Sequence, residues 1–197
     1  MKEIRLISPL NESDVRNLSI GDVIYLSGRV YQILGPGSTK AMEYAKRKEK
    51  LPFELENGVI CHIYSSIKKI NKDWKLNYAG VSTSTYLPIE PNFIRNYKIR
   101  ALIGKGGVGK ETIDAMKEVG CVYLAFTGGC AALFTTRVKG LEAIHWEDTP
   151  ERVIAFKVEA LGPLIVGIDA RGNSVYEKID DEVKKRLLKI RIMPSTV

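Results

Sequence analysis

Three short stretches carry residue types that could hold a small anion. The first is Gly104-Lys105-Gly106-Gly107-Val108-Gly109-Lys110-Glu111-Thr112. It follows an apolar run over residues 99–103 and precedes a helical pattern over residues 111–119. In a strand, glycine loop and helix series, the backbone can approach a ligand closely. The first helical N–H groups then face negative charge. The second stretch is the hydroxyl run Ser82-Thr83-Ser84, and the third is a further glycine turn, Thr127-Gly128-Gly129, leading into a helix of small residues. Two chemistries fit these types: a nucleotide phosphate loop, or a site for a small carboxylate.

The nucleotide reading can be tested against its own requirements. Gly104, Gly109 and Lys110 satisfy a G-x-x-x-x-G-K-[ST] loop up to its last position, where Glu111 stands instead of a hydroxyl that would ligate magnesium. Thr112 is one residue late, about 100° further around the helix. Residues 164–169 resemble a strand ending in an acidic metal ligand, Asp169, but short apolar strands ending in aspartate are common. About 85 residues follow the loop, few for the parallel sheet of such a domain, so this is the weaker alternative. For a small carboxylate, Lys105 with Gly106 and Gly107, the hydroxyls of Ser82, Thr83 and Ser84, and the turn Thr127, Gly128 and Gly129 offer a cation and hydrogen-bond donors. The two histidines read as structural, His62 in mid-strand and His145 beside Trp146. No catalytic acid or base is assigned.

The elements that must position these residues are mixed α/β. A strand at residues 3–8 precedes a short helix capped by Asn11. Residues 23–34 read as two strands around a Ser27-Gly28 turn. Ser38 is expected to cap a helix running to Lys50 and stopped by Pro52. Further strands are expected at residues 58–64 and on either side of Asn71-Lys72-Asp73. A short helix follows near residues 93–97. Strand 99–103, helix 111–119 and strand 121–126 form a βαβ unit. A helix from Cys130 to about Thr136 and strands at 138–146, 153–160 and 164–169 come next. A hairpin turn at Arg171-Gly172-Asn173 leads into Val175-Tyr176, and an amphipathic helix spans about 180–190. No linker divides the chain, so residues 1–197 are expected to form one domain.

Composition agrees with a globular protein, at 45% hydrophobic and 27% charged. A net charge of +7 would steer dianions toward the chain. The basic residues interleave with acidic ones, which argues for solvated helix faces and against nucleic-acid binding. No apolar run approaches the ~20 residues of a membrane span, and the first residues lack a signal-peptide core. A cytoplasmic protein is the expectation. Cys61, Cys121 and Cys130 are odd in number and widely spaced. That pattern suits neither a disulfide framework nor a zinc site.

Several separated motifs, in one order, resemble a known family. They are Ser8-Pro9-Leu10, residues 21–28, Leu51-Pro52-Phe53, residues 103–107, residues 126–132, Ile144-His145-Trp146 and residues 162–169. Together they are similar to the β subunit of the iron–sulfur hydro-lyases, class I fumarase and L-tartrate dehydratase. The resemblance covers nearly the whole chain. It implies a swivelling β/β/α domain of three layers with mixed sheets. It also implies a partner α subunit carrying a [4Fe–4S] cluster on three cysteines, whose open iron acts as a Lewis acid. The β chain would close over that cluster and supply substrate-binding side chains. The implied reaction is reversible addition of water to a C4 dicarboxylate, fumarate to malate, or dehydration of tartrate. A homodimer of αβ units is one implied assembly, with neither nucleic acid nor membrane as a partner.

Two departures bear on activity. The family usually carries an Arg-Asp…His segment where this chain has residues 33–39, Ile33-Leu34-Gly35-Pro36-Gly37-Ser38-Thr39. Where the hydroxyl loop normally reaches an arginine, Tyr86 stands. A lysine does not reproduce the bidentate clamp of a guanidinium. Lys105 must then carry more of the charge recognition, or the substrate differs, or the chain is a catalytically impaired binding or regulatory homologue.

Overall fold

The structure is a computed structural model and describes residues 1–71, 73–84, 91–129 and 131–192. In chain order the elements are β1 (Glu3–Ser8), α1 (Glu12–Arg16), β2 (Val23–Gln32), α2 (Gly35–Arg47), β3 (Val59–Cys61), β4 (Ile63–Ile70), β5 (Asp73–Val81), α3 (Pro91–Tyr97), β6 (Ala101–Gly104), α4 (Lys110–Val119), β7 (Val122–Ala125), α5 (Ala131–Arg137), β8 (Val138–His145), β9 (Val153–Ile168) and α6 (Val175–Ile192). The chain is mixed α/β. Seven strands form one sheet in the order β1-β2-β3-β6-β7-β9-β8, and β2 also pairs with β9. Strands β2, β3, β6, β7 and β9 therefore close into a ring of pairings. β4 and β5 form a separate antiparallel hairpin.

Alternation along the strands creates two cores, because successive side chains point to opposite faces. Val59, Cys61, Ala101, Ile103, Val122 and Leu124 enter one core with Phe134 and Phe156. Ile60, Leu102 and Tyr123 enter the other, where they meet Ala41 and Met42 of α2, Phe93 and Ile94 of α3, and Ile113 and Met116 of α4. Each large apolar side chain fully buried here contributes roughly 1.5–3 kcal/mol. The βαβ unit is as expected: β6 and β7 are parallel and in register from Ala101↔Val122 to Gly104↔Ala125. Gly120 ends α4 in the left-handed conformation.

Several local expectations need correction. Residues 23–32 are one strand, not two. Gly28 has φ 99° and lies where the backbone of Ser8 passes, and the β2–β9 register shifts beside it. The glycine marks an irregularity and a close approach rather than a turn. Helix α2 starts at Gly35, with Pro36 in its first turn. Ser38 lies inside α2, bonded to the Gly35 carbonyl at 2.8 Å. The helix stops at Lys48 in the left-handed conformation, ahead of Pro52. The two strands expected at 153–160 and 164–169 are one 16-residue strand, β9. Val175-Tyr176 begins α6 instead of a strand, because Ser174 caps it: the Glu177 N–H donates to Ser174 Oγ at 3.3 Å. The expected strand 58–64 breaks at His62, where the chain leaves the main sheet for the hairpin.

Candidate functional site

The break at His62 is what builds the site. After the β4–β5 hairpin, the chain returns beside β6. The Ser82 N–H donates to the His62 carbonyl at 2.7 Å, and the His62 N–H to the Ile103 carbonyl at 2.8 Å. Thr83 bridges to Lys105 in parallel, and the Ser84 N–H donates to the Lys105 carbonyl at 2.8 Å. The hydroxyl run and the glycine loop, some twenty residues apart in sequence, are thus sewn together by backbone bonds. On the other side, the Phe126 N–H donates to the Gly104 carbonyl at 2.8 Å and brings in the second glycine turn.

An open pocket of about 490 Å³ lies at this junction. Ser82, Thr83, Lys105 and Gly129 line it, together with Tyr64, Tyr78, Gly80 and Val81 from the hairpin. Lys105 runs along the Gly128 backbone: a Cβ added at Gly128 would lie 3.2 Å from Lys105 Nζ. Gly106 is exposed at the loop crest with φ 86°. Thr127 is exposed at the end of β7. Among the described lining residues Lys105 is the only cation. A further pocket of about 300 Å³, lined by Arg29, Glu54, Glu142 and Lys157 among others, contains none of the residues singled out by their chemistry.

Ser84 and Gly107 occupy the layer beneath. Ser84 Oγ lies 2.8 Å from His62 Nδ1 and 2.8 Å from Tyr123 Oη. Tyr123 Oη also accepts the Gly107 N–H at 3.3 Å. A chain of polar contacts therefore runs from His62 through Ser84 and Tyr123 to the glycine loop. Gly104 must be glycine, since a Cβ there would collide with Ser84 Oγ and lie 2.9 Å from Tyr123 Oη. Gly107 has φ 75° and is covered by the Tyr176 ring, which also stands edge-on to Tyr123. Burial pushes the His62 imidazole down to about 4, so it is neutral at pH 7. Its Nε2 is buried without a hydrogen-bond partner. Burial pushes the Tyr123 phenol up, so it is protonated. None of these three side chains lines the pocket; they hold the groups that do.

The features that suggested a nucleotide loop are engaged elsewhere. Lys110 pairs with Asp114 at 3.2 Å on the exposed face of α4. Asp169 is a turn residue. Its carboxylate accepts bonds from the Arg171 and Asn173 backbones and from both their side chains. Burial opposes ionisation of Asp169, but these donors prevail and hold it below the usual carboxylate range.

Cys61 and Cys121 are not placed as ligands. Cys61 and Cys121 are fully buried, and burial raises both thiols. Among the described residues, no group of three or more His, Cys, Asp or Glu side chains could hold a metal. Cys130 and Tyr86 lie outside the described residues. Gly35, Pro36, Gly37, Ser38 and Thr39 form the first turns of α2 and do not line the pocket. Among the described residues, no helix is long and apolar enough to cross a membrane.

Sequence reasoning missed Tyr64 and Tyr78. They sit on neighbouring strands of the hairpin, Tyr64 opposite Gly80 and Tyr78 opposite Ser66, and both are about half exposed. Two aromatics left open on a polar hairpin, one of them facing a glycine, are the signal that could have found them.

Comparison with known proteins gives a consistent family. The model of the family described as "Fumarase C-terminus" matches residues 1–179. A Methanocaldococcus jannaschii protein provisionally named L(+)-tartrate dehydratase subunit beta is 38% identical over 182 residues, covering 90% of this chain and 93% of that protein. The L(+)-tartrate dehydratase subunit beta of Escherichia coli K12 is 31% identical over 178 residues, 89% of this chain and 87% of that one. A Geobacillus stearothermophilus protein, provisionally named a class I fumarate hydratase, is 30% identical over 188 residues. That match covers 93% of this chain but 35% of its own length. Matched along most of its length by the family model and by relatives of similar size, this chain belongs to the fumarase C-terminus family.

Proposed function

We propose that this chain is the β subunit of an iron–sulfur hydro-lyase acting on a C4 hydroxy-dicarboxylate, with the swivelling β/β/α architecture of that group. The observation that carries the reading is Lys105. It extends from a glycine loop into a pocket whose other polar side chains are hydroxyls. An ammonium pairs with one carboxylate of the substrate, and Ser82 and Thr83 donate to the same group or to the substrate hydroxyl. The Gly129 backbone, with open space on its Cβ side, leaves room for close approach. The [4Fe–4S] cluster belongs to a separate α subunit, as the buried Cys61 and Cys121 support. When present, the cluster supplies Lewis-acid activation of the substrate. This chain supplies binding, orientation and exclusion of water. His62 takes no part in proton transfer: it is buried, neutral and outside the pocket.

Co-expression with a cluster-bearing α chain should give an assembled complex with oxygen-sensitive turnover of fumarate, malate or tartrate. An assembled, cluster-loaded complex inactive on all three would remove the substrate assignment. A second reading, a binding homologue without catalysis, is favoured by one observation: Lys105 alone supplies positive charge among the described pocket residues, while a dicarboxylate carries two negative groups. Turnover of any hydroxy-dicarboxylate by the complex would dispose of it.

A further inference from the structure

Helix α6 leaves the body of the protein. From Glu177 to Leu188 every residue is exposed, on all sides of the helix. Most helical stability in proteins comes from packing an amphipathic face, which this segment does not do within its own chain. From Asp180 onward it lies beyond the family match, which ends at residue 179. One face carries an apolar stripe, Ile179, Val183 and Leu187, each 48–59% exposed. Leu188 is exposed too but lies off that stripe. An amphipathic helix of this kind normally buries its stripe.

Charge along the helix says what covers it. The segment before Val183 is Asp180-Asp181-Glu182, and the segment after it is Lys184-Lys185-Arg186. The sequence is charge-complementary about Val183 as a centre. At about 100° per residue, Ile179 and Leu187 lie about 40° to either side of Val183. Asp180 and Lys184 fall on one flank of the stripe, Glu182 and Arg186 on the other. The ion pairs that the helix makes with itself, Lys184 to Asp181 at 3.8 Å and Arg186 to Glu182 at 3.5 Å, are solvent-exposed and weak, so they are free to re-pair.

We propose that α6 is a self-association element that packs antiparallel against α6 of a second copy of this chain, with the two-fold axis passing beside Val183. This arrangement sets Ile179 of one copy against Leu187 of the other. It sets Asp180 beside Lys184 of the second copy, and Glu182 beside Arg186, each offset by about 3 Å along the axis. These four flanking contacts join opposite charges, against one like-charge contact on each flank, where Lys184 meets Lys184 of the second copy and Glu182 meets its Glu182, also about 3 Å apart along the axis. A parallel pair would instead put the acidic segment against itself and the basic segment against itself. Both copies use the same surface, as a closed two-fold contact requires. The inference is independent of the hydro-lyase reading, since it uses none of the pocket residues.

Sedimentation velocity of the full chain, alone and in complex with its α subunit, tests it. The wild-type chain should run at twice the monomer mass at micromolar concentration. Val183→Glu, at an exposed position, should run as a monomer with an unchanged circular-dichroism melting curve for the body. Lys184→Glu/Arg186→Glu should weaken the dimer at least tenfold. Adding Asp180→Lys/Glu182→Lys to that variant should restore it. For orientation, Ile179→Cys and Leu187→Cys chains should each fail to cross-link alone and should cross-link when mixed under mild oxidation. A wild-type chain that stays monomeric at 100-fold higher concentration would overturn the proposal. So would self-cross-linking of Ile179→Cys, or protection of α6 only by the α subunit or by vesicles of anionic lipid.

Discussion

Replacing Ser84 with alanine removes the one hydroxyl that joins the two halves of the pocket floor. Ser84 is 1% exposed, and its Oγ makes two 2.8 Å contacts, to His62 Nδ1 and Tyr123 Oη. Without it, both ring nitrogens of His62 are unpaired, since Nε2 already has no partner. Tyr123 keeps only the weaker contact from the Gly107 N–H at 3.3 Å. A buried polar group left unsatisfied costs roughly 1–3 kcal/mol. With full loss at His62 and partial loss at Tyr123, Ser84→Ala should destabilise the chain by about 2–4 kcal/mol. Urea-induced equilibrium unfolding of the isolated chain at pH 7.5 measures this directly. The neighbouring Thr83→Ala, at a half-buried hydroxyl that lines the pocket, serves as the control and should fall within about 0.5 kcal/mol of wild type. Combined with Tyr123→Phe, Ser84→Ala should be non-additive by about 0.5–3 kcal/mol, because the two residues share a bond. If Ser84→Ala were within 1 kcal/mol of wild type by this ~1–3 kcal/mol standard, the polar chain would not be holding the loop, and the reasoning would fail.

Three further outcomes follow from the same geometry. His62 is held neutral, at about 4 against an ordinary 6.5, so the unfolded chain takes up its proton first. Stability should therefore be full above pH 6.5 and fall by on the order of 3 kcal/mol as pH drops to 4, as read from urea midpoints. His145 shifts in the same direction, through burial and the charge of Arg29. A His145→Gln chain should thus keep most of the slope, and a slope unchanged in His62→Gln would contradict the assignment. Gly104→Ala forces a methyl group onto Ser84 Oγ and should cost about 1–3 kcal/mol in thermal or urea unfolding, with no loss if the loop can simply shift. Arg100, with a side chain 6% exposed, pairs with Glu12 at 3.1 Å and donates to Asn57 Oδ1 and to the Val119 and Gly120 carbonyls at the end of α4. A lysine cannot span these partners, so Arg100→Lys should destabilise by about 1.5–3 kcal/mol in the same assay; equal stability would show that water replaces the fork.

The parts of the fold legible in the sequence were those with one physical meaning. The βαβ unit from β6 to β7 could be read because an apolar run, a glycine loop and a glycine-terminated helix admit few other arrangements. Gly28 was ambiguous. A glycine between strand-forming residues marks either a tight turn or a crossing of backbones, and only the position of Ser8 decides between them. Pro36 and Ser38 both announce a helix start, and proline in the first turn prevailed. The sequence could single out Lys105, Ser82, Thr83 and Gly129 by chemical type alone, and the structure brings these four to one pocket. The contribution of the β4–β5 hairpin was not legible. It depends on the break at His62, which no local pattern announces in a run as apolar as residues 58–64. Ser82 and Thr83 line the pocket and Ser84 does not, which strand alternation would not give, since it sets Ser82 and Ser84 on one face; the chain leaves extended geometry at Ser84, whose hydroxyl meets His62 and Tyr123 instead. Asp169 illustrates the reverse error, a strand-terminal acid whose donors are supplied by its own turn.

In the proposed function, Lys105 binds a substrate carboxylate in a site completed by another subunit. The most direct measurement is the steady-state kinetics of the cluster-loaded αβ complex carrying Lys105→Met. A charged hydrogen bond is worth about 1.5–3 kcal/mol, so kcat/KM for the hydroxy-dicarboxylate should fall about 10- to 150-fold. Assembly, cluster content and melting temperature should not change. Kinetics equal to wild type in an intact complex would show that the pocket beside the glycine loop is not where the substrate binds.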